Sequence, residues 1–249
     1  MKVTIITVCF NSASTIRDTI ESVLGQNYPD IEYIVIDGAS SDATMDVVRE
    51  YGDHINVVIS EPDKGIYDAM NKGIQLATGD VVGLLNSDDF YSDDSSVSRL
   101  IACMEATDSD TVFADLAIVD GKDTERTIRY YSSDAFHPGR LRYGWMPAHP
   151  TFFVKRELYE THGGFSLDYC IASDFEMVAR LLYTAKASYS YLPGVVVKMR
   201  AGGASTSGLK SSWILNREIV RACLANGIKT SLPRVLLKIP AKLMEYIRK

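Results

Sequence analysis

The sequence predicts an α/β fold: a mostly parallel, doubly wound central sheet flanked by helices, closed by amphipathic helices at the C-terminus. Two observations carry this. Four short apolar segments (3–10, 31–36, 55–59 and 81–85) alternate with three helical patterns within the first 85 residues, and such alternation produces parallel crossovers. Polar or acidic residues also directly follow the first, second and fourth of these segments.

The first strand, 3–10, is β-branched and apolar throughout, as a strand buried on both faces should be. Met1-Lys2 before it resembles a signal-peptide start. The apolar run is short, contains threonines and has no small-residue cleavage site, so it reads as a strand. Helical spacing of Ile16, Ile20, Val23 and Leu24 follows, then a strand at 31–36 ending in Asp37-Gly38. A helix at 43–51, a strand at 55–59, a helix at 65–77 and a strand at 81–85 complete the first half. Beyond it the pattern predicts a helix at 95–105, a strand over Thr111–Val119, and loop or hairpin at 121–147. A strand at 151–154, a helix at 155–161 and a helix at 173–183 come next. An extended segment at 189–199 carries Pro193-Gly194 as a turn, and Gly202-Gly203-Ala204-Ser205 is a flexible loop. Amphipathic helices at 210–225 and 233–248 end the chain.

Hydrophobic residues make up 46% of the 249 positions, enough for a substantial core. A net charge of −6 lacks the basic footprint of general nucleic-acid binding. The charge is uneven: residues 229–249 hold six basic groups and one acid, leaving −11 for the rest. The four cysteines form no C-x-x-C pair, which fits a reduced, cytoplasmic setting. No run of about 18 apolar residues occurs, so no membrane span is expected.

Ligands of doubly wound sheets sit beyond the carboxyl ends of the strands. Asn11, Asp37 and the cluster Asn86-Ser87-Asp88-Asp89 stand at those ends. Adjacent carboxylates repel each other, and a divalent cation relieves that repulsion; Asp88 and Asp89 are therefore either a Mg²⁺ or Mn²⁺ site or an acidic turn. Asp37 either meets a ribose or base, or belongs to a Gly38 turn. Asp68, Asn71 and Lys72 share a helix face behind Lys64-Gly65, a place for a pyrophosphate or a uracil. Ser173-Asp174-Phe175-Glu176 reads as a capping box. It sets Asp174 in a first turn, where the helix dipole favours its ionised form, as either a helix start or a general base. His149 lies near substrate or in a structural role, and Tyr143 and Trp145 stack on a sugar or join the core. Arg200 suits a phosphate. No G-x-G-x-x-G follows the first strand and no G-x-S-x-G occurs, which disfavours a dinucleotide dehydrogenase and a serine hydrolase.

Several of these pieces fall in one order: the strand ending at Asn11; Asp37-Gly38-Ala39-Ser40-Ser41-Asp42; Asn71-Lys72-Gly73 with Ala77-Thr78-Gly79-Asp80; Asn86-Ser87-Asp88-Asp89; His149-Pro150-Thr151-Phe152-Phe153; Gly163-Gly164-Phe165; and Ser173-Asp174. Over residues 1–205 or so this resembles the family-2 inverting glycosyltransferases of Rossmann-like GT-A fold, particularly bacterial enzymes of surface-polysaccharide assembly. The resemblance implies Thr7 and Asn11 in the nucleotide pocket and Asp37 at the uridine. It implies Asp68 with Lys64 or Asn71 at base or phosphate, and Asn86-Ser87-Asp88 at the D-x-D position with Asp88 as metal ligand. Ser87, His149 and Arg200 would complete the nucleotide-sugar site, Asp89 would support the metal, and Asp174 would be the base. Two departures are visible: Asn86 replaces the first D-x-D acid, and Ser173 replaces the acid before the base.

The expectation is thus an enzyme with a nucleotide-sugar donor, Mn²⁺ or Mg²⁺, and a glycan or polyprenyl-diphosphate-linked acceptor. Residues 1–90 would form the nucleotide half, 91–208 the acceptor half and 209–249 a helical extension. The basic tail suits the inner face of a plasma membrane, a docking contact or a homodimer. The rivals are an inactive sugar-nucleotide-binding module, which would dispense with Asp88 and Asp174, and a sugar nucleotidyltransferase, which needs a Gly-rich loop where Asn11-Ser12-Ala13-Ser14 stands.

Overall fold

A computed structural model describes residues 1–202 and 209–238. Its elements run β1 (Val3–Cys9), α1 (Ile16–Leu24), β2 (Ile31–Asp37), α2 (Thr44–Arg49), β3 (Val57–Ser60), α3 (Ile66–Leu76), β4 (Val81–Leu84), β5 (Asp89–Tyr91), α4 (Ser96–Thr107), β6 (Thr111–Val119) and β7 (Thr127–Tyr131). Then follow β8 (Phe153–Lys155), α5 (Arg156–His162), α6 (Ser173–Ala179), β9 (Tyr189–Arg200), α7 (Leu209–Ala225) and α8 (Leu232–Leu236). The strands form one sheet in the order β3-β2-β1-β4-β8-β6-β9-β5, with β7 on β6. β1 pairs in parallel with β2 and β4, and β2 with β3. β8 is antiparallel to both β4 and β6, whereas β6 and β9 run parallel. The expected Rossmann-like sheet is present, parallel over β1–β4 and mixed beyond it.

Alternation along β1 explains the layering. Val3 and Ile5 face a core shared with Ile16 and Ile20 of α1, Val48 of α2 and Leu100 of α4. Ile6 and Val8 face the other core, shared with Ala69 and Met70 of α3, Phe175 and Val178 of α6 and Ile219 of α7. The contact of α3 with β1 is close because of Gly73: a Cβ there would meet Ile6 Cγ2 at 2.4 Å.

Three expectations change. Pro193-Gly194 is not a turn between segments. Leu192 pairs with Ala114 and Val195 with Asp115, so β9 continues through a bulge. The bulge is held by Asp115, a buried carboxylate accepting from Gly194 N at 3.2 Å, Tyr191 Oη at 2.9 Å, Ser133 N at 2.7 Å and Tyr130 Oη. The 173–183 helix is α-helical only over Ser173–Ala179 and widens into a π turn over Arg180–Thr184. Asp89, read as part of either a metal site or an acidic turn, begins a strand, Asp89–Tyr91, on β9. The glycine-rich loop at 203–205 and the end of the last helix, 239–249, lie outside the described residues. Among the described residues no helix is long and apolar enough to cross a membrane.

Replacing a helical glycine by alanine normally gains about 1 kcal/mol. Gly73→Ala is expected to lose about 1–3 kcal/mol instead, because Ile6 is β-branched and cannot retreat from the new methyl. Denaturant unfolding checks the sign.

Candidate active site

The parallel register of β1 and β2 sets Cys9 opposite Asp37, so both strands end at one level. Asp37 is fully buried there, and its oxygens accept from Ser40 N at 3.0 Å, Ser40 Oγ at 2.5 Å and Ser60 Oγ at 2.6 Å. Ser40 Oγ in turn accepts from Asn11 N at 2.7 Å, and Asn11 Oδ1 accepts from Ser41 N at 2.9 Å. Asn11 adopts φ +50° to make this turn, a conformation asparagine tolerates. The loops after β1 and β2 are thereby stitched into one rim.

The loop after β4 joins the same rim through Ser12 Oγ and Ser87 Oγ, 2.8 Å apart. Within it the two acids differ. Asp88 is half-buried, and no side-chain partner for its carboxylate occurs among the described residues. Asp89 is 1% exposed; its Oδ2 is 3.4 Å from Asn86 Nδ2 and its Oδ1 has no partner. Burial, reinforced by Asp88, holds the Asp89 carboxyl well above its ordinary pKa. Arg200 closes the edge. Nη1 donates to Asp88 O at 2.9 Å, Nη2 pairs with Asp18, and the guanidinium lies 4.8 Å from the Phe90 ring centroid.

A hard divalent cation fits these groups: oxygen donors, an Asp88 carboxylate without a side-chain partner among the described residues, and an orphaned buried oxygen at Asp89. No group of three or more His, Cys, Asp or Glu side chains suited to a metal occurs among the described residues. Mg²⁺ commonly binds through one or two carboxylates, with substrate phosphates and water completing its shell, and Asp88 and Asp89 could supply those carboxylates.

A second group lies on the other half of the sheet. His149 opens the short helix His149–Thr151, which packs on β4 and β6. Its Nδ1 is 3.4 Å from Asp174 Oδ2. Asp174 remains 16% exposed at its side chain, so it is not sealed in the core. Burial raises its pKa, against the lowering influence of His149 and of the Phe175 N–H, which donates to Oδ1 at 2.7 Å. The upward direction corrects the expectation that the helix dipole would dominate. The capping box is also absent: Ala172 occupies the cap position, Ser173 Oγ donates to Ser166 O at 2.8 Å, and Glu176 pairs with Arg180.

Other expected residues are placed as follows. Lys64 N donates to Asp68 Oδ2 at 3.0 Å where α3 begins. Asn71 turns away, both ends of its amide binding the Phe165 backbone at 2.7 and 2.8 Å. Thr7 is fully buried and accepts from Tyr33 Oη at 3.1 Å. Trp145 carries Arg140 5.9 Å from its ring centroid, and Tyr143 is exposed. No hydrogen bond among the described residues joins the Asp37–Asp88 rim directly to the His149–Asp174 pair. Sequence reasoning missed Ser60, Asp18 and Glu218. Glu218 had a signal: it is the only acid of α7 and shares a face with Leu215 and Ala222.

Polar and acidic groups gathered at the carboxyl ends of parallel strands are where an α/β enzyme holds its ligands. The model of glycosyl transferase family 2 matches residues 4–171, and the chain belongs to that family. It is a glycosyltransferase of GT-A fold. A PGL/p-HBAD biosynthesis glycosyltransferase of Mycobacterium bovis is 27% identical over 205 residues, covering 77% of each chain. A putative teichuronic acid biosynthesis glycosyltransferase of Bacillus subtilis, TuaG, is 37% identical over 106 residues, 41% of this chain and 42% of that protein. S. aureus TarS 1-349 in complex with UDP-GlcNAc superposes with a TM-score of 0.69 at 19% identity, over 90% of this chain and 67% of that one. The mannosyltransferase PcManGT of Pyrobaculum calidifontis, in complex with GDP-Man and Mn²⁺, gives 0.63 at 20% identity, over 98% and 80%. At these identities the structural likeness is one of fold.

Proposed function

We propose that this glycosyltransferase moves a hexose or N-acetylhexosamine, with inversion, from a UDP-sugar to a hydroxyl of a glycan or polyprenyl-diphosphate-linked acceptor in cell-surface polysaccharide synthesis. The names of the mycobacterial and Bacillus relatives support the pathway class. The observation that carries the chemistry is Asp174, a carboxylate raised in pKa, paired with His149 and still open to solvent.

In this reading Asn11 and Asp37, set by Ser40 and Ser60, receive the base and ribose. Lys64 and Asp68 meet base or phosphate from the start of α3, and Asn86, Ser87 and Arg200 line the diphosphate. Thr7 and Asn71 act through packing. Asp88 is the principal metal ligand, with Asp89 behind it. Bound Mn²⁺ or Mg²⁺ would neutralise charge on the departing nucleoside diphosphate. Asp174 takes the proton from the acceptor hydroxyl as its oxygen bonds to the anomeric carbon. The bond from that carbon to the diphosphate oxygen breaks in the same displacement, so no covalent enzyme intermediate forms. Residues 1–90, joined by Arg200, serve the donor, and the rest of 91–208 the acceptor.

A general base contributes about 10²–10⁴-fold. Asp174→Asn is expected to lose at least that much in kcat with donor affinity kept, and the product should show inverted anomeric configuration by NMR. Near-normal turnover, or retention, would contradict the reading. Asp88→Ala should abolish the response of turnover to added Mn²⁺; an EDTA-insensitive parent enzyme would exclude the metal role.

An acceptor held in lipid implies a membrane surface on the cytoplasmic side. Trp213, Leu224 and Leu237 are 52, 58 and 65% exposed beside Arg217, Lys229 and Arg234, an apolar and basic combination suited to anionic lipid. Sedimentation with phosphatidylglycerol vesicles, but not phosphatidylcholine ones, is expected. Failure with both, or a stable dimer that hides Trp213, would favour docking or dimerisation.

A further inference from the structure

We propose that Glu218 is the positioning residue for Asp174: its carboxylate, carried on α7, fixes the backbone from which the base projects. The inference rests on Asp174 being the base. Three consecutive amides converge on this one side chain. Cys170 N donates to Oε1 at 2.8 Å, and Ile171 N and Ala172 N donate to Oε2 at 2.9 and 3.0 Å. Ala172 is the residue that caps α6, and Asp174 sits in the first turn just after it. The 170–172 segment is gripped from the other side by Tyr67 of α3, whose Oη donates to Ile171 O at 2.5 Å.

No side chain of α6 caps it, and Glu218 instead fixes the three amides that lead into its first turn. Amides bonded to a carboxylate are charge-assisted and about twice as strong as neutral pairs. Glu218 is only 9% exposed, so its charge is tolerable because those donors surround it. A helix of the C-terminal extension thereby sets the angle of a residue more than forty positions earlier in the chain. The charged and titratable groups acting on Asp174 are His149 from the short helix after β7, Tyr67 from α3 and Glu218 from α7. Glu218 opposes ionisation of Asp174, whereas His149 favours it.

The test is Glu218→Gln in the full-length enzyme, read by steady-state kinetics across pH. Glutamine keeps the volume but offers one oxygen and a clashing NH₂. The expected result is a kcat lower by about tenfold to a hundredfold, as for an angstrom-scale misplacement of a catalytic group. Donor KM should be unchanged, and the acidic limb of the kcat profile should move to lower pH, because a negative charge near Asp174 has gone. A purely structural role would lower Tm while the folded enzyme kept the parental kcat on its pH plateau, which overturns the inference. Glu218→Asp keeps the charge with shorter reach. It should lower kcat with the limb near its original position, and it decides the matter alone if the glutamine variant does not fold; a parental kcat there overturns the inference. Asp174→Asn separates the two claims. If that variant keeps parental kcat, the base assignment has failed. If it is inactive while Glu218→Gln matches the parent in plateau kcat, only the role of Glu218 has failed.

Discussion

The strand-end rim depends on the parallel pairing of β1 with β2 on one side and β4 on the other. Neither edge of β1 is free and neither face reaches water, so its polar continuation can emerge only at the carboxyl end. The register then decides which groups meet. Cys9 lies opposite Asp37, and Ile6 opposite Leu84, so Asn11, Asp37 and Asn86–Asp89 share one rim. A one-residue slip would turn every side chain of the strand over and bury polar groups in both cores.

Buried carboxylates fall into two kinds, and the difference separates scaffold from chemistry. Glu32 accepts from Lys2, Thr4 and Thr78, which hold its pKa down to about 2 despite burial. Asp37, Asp115 and Glu218 likewise have several donors each, and they tie together loops, strands and the start of α6. Asp89 and Asp174 are under-supplied. One has an orphaned oxygen, the other only neighbouring backbone amides and an imidazole at 3.4 Å, and burial raises both. Unmet electrostatic demand of this sort is a resource at a functional site, because a cation or a proton can meet it.

The first half of the fold was legible because each strand is a continuous apolar run and each helix keeps its period, so local and tertiary preferences agree. The later elements were read less well for physical reasons. Asp89–Tyr91 becomes a strand only because β9 lies alongside it, and three residues carry no period of their own. Pro193-Gly194 has turn chemistry, yet Asp115 captures Gly194 N and keeps both flanks paired with β6. The S-x-x-E pattern at 173–176 was overridden by Ser166 and Arg180, partners distant or downstream in sequence. At the site, Asp37, Asp88 and Asp174 could be named from motif order. Ser60, Asp18 and Glu218 could not, since their roles come from contacts across 23, 182 and 46 or more positions.

The central claim is that the rim formed by Asn11, Asp37 and Asp88 binds the donor nucleotide. A thermal-shift screen of UDP-, GDP- and dTDP-sugars with Mn²⁺, run on the parent and on Asp88→Ala, tests it most directly, because a ligand binding only the folded state raises Tm. A rise with one UDP-sugar that disappears in Asp88→Ala is the expected result. No rise with any sugar nucleotide, or an equal rise in the variant, would contradict it.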